Sequence, residues 1–189
     1  TINVNFGQKP FKYAPTQGHL PLNSASATSE TVITRPDQFV GVTTYTGNQT
    51  ARVLSTKFAP DLVWTKRRDD SNSHQLYDSV RGDNKSLSSD STNAEVTTAN
   101  SASFASSNGI NIGSGTRSNE NSVSYVAWAW KAGGSKNTFN KDDVGYASTT
   151  AAGLTAGANA NLVTGSSVGT KQGFSIIKFN ASAQSSAAV

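Results

Sequence analysis

The residues of this 189-residue chain that could do chemistry are few: two histidines, three glutamates and a scatter of aspartates. His74 and Asp78 fall on one face of a strand read at period two, an arrangement in which a carboxylate could orient a basic imidazole. No nucleophile elbow accompanies them, and His19 lies in a Pro-rich stretch. Sandwich glycosidases need two carboxylates at a fixed separation across the scissile bond. Glu30, Glu95 and Glu120 each sit among Ser, Thr and Asn, with no Glu-x-Asp-x-x-Glu on a strand face. No catalytic set emerges, so the chain is not expected to be an enzyme. Two histidines without any cysteine fall short of the usual zinc patterns. Asp69-Asp70 and Asp142-Asp143 could contribute to a calcium loop, but adjacent Asp pairs mostly cap turns. Gly113-Ser114-Gly115-Thr116 lacks the Lys-Ser/Thr and the helix of a phosphate loop and reads as a turn. No metal and no cofactor are expected.

Binding chemistry has more to work with. Trp64, Tyr77, Trp128 and Trp130 are aromatic side chains of the kind that stack on sugars, and Arg81-Gly82-Asp83-Asn84 could supply directed hydrogen bonds. The ligand-binding candidates are Trp64, Tyr77, Arg81, Asp83 and Asn84. Against this stands the position of all four aromatics in mid-strand with apolar neighbours, which favours core packing. The net charge of +4 is mild, and its one basic cluster, Lys66-Arg67-Arg68, is followed at once by Asp69-Asp70. That pattern reads as a solvated hairpin, so no nucleic-acid partner is expected. No apolar run approaches the ~18 residues of a membrane span, and no membrane insertion is expected.

The elements that must position these residues are strands. Ser, Thr, Asn and Gly make up roughly two-fifths of the chain, charged residues 15% and hydrophobic ones 35%. Such a composition suits an all-β protein with many turns. Strands are predicted over Val40–Tyr45, Leu62–Lys66 and Gln75–Val80, with weaker ones over Lys85–Leu87, Ala102–Ala105 and Ile110–Ile112. The strongest runs from Ser122 into Gly133-Gly134, which stop it. There Val123, Tyr125, Ala127 and Ala129 point one way, and Ser124, Val126, Trp128 and Trp130 the other. Two tryptophans at spacing two are expected to commit their face to burial against another layer. The spacing of strands and turns predicts an antiparallel β-sandwich, jelly-roll or concanavalin-like, with extended N- and C-terminal arms. Residues 1–37 read as an arm with one short strand over Val4–Tyr13, and 38–133 as the sandwich module. Residues 134–172 read as an Ala/Gly/Ser-rich extended linker ordered by docking, and 173–189 as the start of a further strand or module.

An ordered series of landmarks carries a resemblance. Asn5-Phe6-Gly7-Gln8-Lys9-Pro10-Phe11-Lys12-Tyr13 resembles the closing strand of SPRY-like domains in large structural proteins of marine bacteriophages, cyanophages especially. Tyr45-Thr46-Gly47-Asn48, Pro60-Asp61-Leu62-Val63-Trp64-Thr65-Lys66, Leu76-Tyr77-Asp78-Ser79-Val80-Arg81-Gly82 and Tyr125–Gly134 are similar to the tandem concanavalin/LamG-like module of those proteins. Gly169–Ile177 resembles the beginning of a next module, and Asn180–Val189 departs from the pattern. The resemblance implies a virion structural protein in a tail fibre, capsid decoration or other surface appendage, with no catalytic residues to carry over. The expected partners are copies of itself, a trimer suiting a fibre, and other virion proteins. The competing reading is a lectin-like module that binds host surface polysaccharide; a glycan-degrading enzyme ranks last.

Overall fold

The computed structural model describes residues 35–154 and 162–180, so the strand expected over Val4–Tyr13 lies outside the described residues. Among the described residues, a short 3-10 turn at Pro36–Gln38 leads into thirteen strands: β1 (Val40–Thr46), β2 (Arg52–Ser55), β3 (Leu62–Arg67), β4 (Gln75–Asp78), β5 (Lys85–Ser86), β6 (Val96–Thr97), β7 (Ala102–Ser103), β8 (Gly109–Ile112), β9 (Ser124–Trp130), β10 (Phe139–Lys141), β11 (Val144–Tyr146), β12 (Val163–Gly169) and β13 (Phe174–Phe179). The six strands expected between residues 40 and 112 are β1, β3, β4, β5, β7 and β8, each present with ends shifted by a residue or two. One helical turn, α1 (Thr116–Asn119), follows Gly115 where a plain turn is expected.

Two sheets make the sandwich. A four-stranded antiparallel sheet in the order β1-β9-β3-β4 faces a three-stranded one, β2-β8-β7. Between them lies the core of Leu54, Phe58, Val63, Tyr77, Ala102, Phe104, Ile110, Ile112, Ala127 and Ala129. Ile110 and Ile112 are fully sealed, each contributing about 1.5–3 kcal/mol through burial. A two-stranded pair, β5-β6, continues past β4 through the bridge Leu76↔Leu87. The fold is an all-β antiparallel sandwich.

The tryptophan strand β9 is turned over relative to expectation. Its buried face is Tyr125, Ala127 and Ala129, and its half-buried outer face is Val126, Trp128 and Trp130. Small residues let the second sheet close in. One inner row runs Gly41, Ala129, Val63, Tyr77, and the next Thr43, Ala127, Thr65, Gln75. Two tryptophans on that side would hold the layers apart, whereas the outer side faces away from β2-β8-β7.

The segment 134–172 does not run as an extended linker. It carries β10, β11 and β12, which with β13 form a second four-stranded sheet, β11-β10-β12-β13. β10 and β12 pair in parallel, the other neighbours antiparallel. Asp142 (φ 50°) and Asp143 (φ 66°) make the two-residue turn of the β10–β11 hairpin, with both central residues at positive φ as a type I′ turn requires. The sheet is seated on the end of β9 through hydrogen bonds and a ring contact between Trp130 and Phe174. Ser167 Oγ accepts from Gly133 N and donates to Gly134 O, both at 2.8 Å. A Cβ on Gly133 would collide with the backbone of Val168.

Candidate functional site

The outer face of the β1-β9-β3-β4 sheet brings the tryptophans together. Register places Val42, Trp128, Trp64 and Leu76 side by side across the four strands. The rings of Trp64 and Trp128 lie 5.6 Å apart and tilted by 54°. Trp64 donates its indole N–H to His74 Nδ1 at 2.7 Å, which fixes the ring and leaves the imidazole proton on Nε2. Val42 is 63% exposed and Val40 47%, on an edge strand where β-branched residues favour the extended backbone. Trp130, one row on, packs beside Phe174 of the second sheet with ring centres 6.5 Å apart. Lys66, on the same face, spends its ammonium on the carbonyls of Arg67 and Asp70, both at 2.8 Å.

The remaining candidates are dispersed. Tyr77 is a core residue, 1% exposed, with its hydroxyl 2.7 Å from Ser101 Oγ; burial holds that phenol above its ordinary pKa. Arg81 forms an ion pair with Asp78, whose other oxygen accepts from the backbone N–H groups of Val80 and Arg81 at 3.1 and 2.7 Å. Asp78 also lies four residues along the extended chain from His74, about 13 Å away, too far to orient its imidazole. Asp83 is exposed and accepts from Phe104 N at 3.0 Å, beside a hollow with Gly82. Asn84, at φ 63°, accepts from Ser101 N at 2.8 Å and lines a different hollow of about 430 Å³ with Asn100 and Asn111. The tetrapeptide is therefore a brace between β4 and β7, and its side chains do not converge.

Most of the other described carboxylates are also spoken for. Glu120 accepts from Arg67 at 2.7 Å, and Arg67 reaches Asp69 and Asp70 as well. Glu95 meets Lys85 at 3.4 Å, and Asp143 meets Lys131 at 2.6 Å. Asp142 holds the backbone and hydroxyl of Thr170 at 2.8 and 2.7 Å, bonds that lower its pKa. Among the described residues no three His, Cys, Asp or Glu side chains come together as a metal-sized group. Glu30 and His19 lie outside the described residues.

Sequence reasoning passes over Asp61 as a turn residue. It is 2% exposed and accepts from Ala132 N (2.8 Å), Gly134 N (3.1 Å) and Ser79 Oγ (3.0 Å), clamping the exit of β9 to the start of β3. Burial pushes its carboxyl above the ordinary value, against the pull of those hydrogen bonds. Pro60-Asp61 ahead of an apolar strand is the only signal, and it reads equally well as a plain turn.

Among the described residues no helix is long and apolar enough to cross a membrane. Residues 35–189 match the family described as a domain of unknown function (DUF7483). The match spans well over half of the chain, which belongs to that family. No curated protein and no solved structure matches.

Proposed function

We propose that the chain is a structural module of a bacteriophage virion, a non-catalytic β-sandwich block of a tail fibre, capsid decoration or other surface appendage that joins copies of itself. The sequence landmarks that resemble the concanavalin/LamG-like module fall on or beside β1, β3, β4 and β9, the strands of one sheet, which supports reading them as a single module. The observation that carries an assembling role is β13. It stands at the end of its sheet, six residues long, with Ile177 44% and Phe179 65% exposed. An edge strand of that kind offers unpaired backbone groups and apolar side chains to another chain. Native mass spectrometry at micromolar concentration tests the reading. A discrete trimer or larger assembly is the expected result, and a clean monomer counts against it.

The second reading is a lectin-like module for host surface polysaccharide. The half-buried outer position of Trp64 and Trp128 favours it, since core packing of these rings was its main competitor.

A further inference from the structure

We propose that β13 of one copy pairs antiparallel with β1 of the next, a head-to-tail contact that joins the second sheet of each module to the first sheet of its neighbour. This rests on the assembly reading and names both edges and their register. Hydrogen-bond alternation fixes which backbone groups each edge offers. At β1, Gly47 N donates to Val123 O and Lys131 N to Phe39 O, so the odd-numbered residues face β9. Val40, Val42 and Thr44 therefore turn their N–H and C=O groups outward. In β12, Ser166 N donates to Thr138 O and Val168 O accepts from Asp142 N, both on the β10 side. Gly165, Ser167 and Gly169 thus face Lys178, Ile176 and Phe174 of β13, and Asn180 N, donating to Leu162 O, continues that series. The outward groups of β13 are those of Ser175, Ile177 and Phe179.

One antiparallel register pairs all of these groups and matches the side chains as well. It sets Phe179 opposite Val40, Ile177 opposite Val42 and Ser175 opposite Thr44, each pair exchanging both of its N–H···O bonds. The four apolar side chains, exposed in the single chain, then cover one another, and the two hydroxyls sit together. The one charged residue of either strand, Lys178, falls opposite Gly41, so no like charges meet. Other pairings match less well. A parallel arrangement that sets Ser175 against Val40 also sets Phe179 against Thr44, and β13 paired with itself about Ile177 sets Phe179 against Ser175. Every copy carries one edge of each kind, so a closed ring of copies leaves neither exposed.

The chain has no cysteine, which makes disulfide trapping a direct test. Opposite residues of a hydrogen-bonded pair lie about 5.5 Å apart at Cα, within disulfide reach. The full chain carrying both Val42→Cys and Ile177→Cys is expected to form interchain disulfides on mild oxidation, seen as a ladder of linked chains in non-reducing denaturing gels. Either substitution alone should give none, and Val42→Cys with Ser175→Cys, two residues out of register, should give little. Independently, Val42→Lys and Ile177→Glu should each drop the native mass to that of a single chain, and the two together should restore it. Far-UV circular dichroism of each variant separates loss of assembly from loss of folding, and the charge pair decides if a cysteine variant folds poorly. Disulfides in the Ile177→Cys single variant mean that β13 pairs with itself and overturn the proposal. Assembled mass without the paired disulfide, or without rescue by the charge pair, overturns it while leaving self-assembly through another surface. A single-chain mass for the native protein overturns it together with the assembly reading.

Discussion

Asp61 is the residue on which the junction of strands depends. Its carboxylate satisfies two backbone N–H groups in a site closed to water, so Asp61→Ala strands both donors and should cost about 3 kcal/mol, read as a lowered urea midpoint. Its pH dependence has an unusual sign. A carboxyl raised above 3.8 by burial keeps its proton in the folded chain at pH values where the unfolded chain has released it. The contribution of Asp61 therefore falls as pH rises from about 3.8 through the raised native value, and returns on acidification. Asp61→Asn removes that titration, so the urea-midpoint difference between the variant and the native chain should shift in the native chain's favour as pH drops across the window. A curve parallel to the native one would mean that the Asp61 carboxyl titrates alike in the folded and unfolded chain. Tyr125 is a smaller case: its hydroxyl accepts from Glu120 N and donates to Thr116 O, so Tyr125→Phe should lower stability by about 1 kcal/mol in the same assay.

At the scale of elements, the seam between β9 and β12 is built from Gly133, Gly134 and Ser167, with Ser166 and Ser167 fully buried. Gly133→Val places side-chain atoms against the Val168 backbone. The expected outcome is loss of amide-exchange protection across β10–β13 with β3 and β9 still protected; uniform loss would mean that the two sheets fold as one cooperative unit. The same seam explains what the sequence could and could not announce. Leu62–Arg67 and Gln75–Asp78 declare themselves by alternation and β-branched or aromatic content. Val163–Gly169 does not, because a Val-Thr-Gly-Ser-Ser-Val-Gly strand owes its order to backbone ladders and serine hydroxyls rather than to apolar periodicity. Strand β9 was legible as a strand but not in orientation. Alternation marks two faces, and side-chain size suggests the tryptophan one as core, whereas the inward side is chosen by how closely β2-β8-β7 must approach Ala127 and Ala129. The aromatic row was half visible: Trp64, Trp128 and Trp130 could be named, but their alignment with Val42 and the His74 anchor depend on register.

For the whole molecule, the proposed self-assembly can be probed at the exposed β13 edge. Phe179→Lys puts a charge on an apolar edge position and should lower the native mass or shift assembly to higher concentration, leaving the unfolding free energy within about 0.5 kcal/mol of the native chain. An unchanged mass would move the contact to another surface. The pairing of β1 with β9 has a further consequence for how the module can be placed in a longer polymer. Val40, where the chain enters the sandwich, is the direct cross-strand partner of Trp130, where it leaves. Residues 40 to 130 thus open and close at a single doorway about 5 Å wide. A block with such adjoining ends can be inserted into, or deleted from, a host chain without lengthening it, and tension along that chain passes across the doorway instead of through the sandwich.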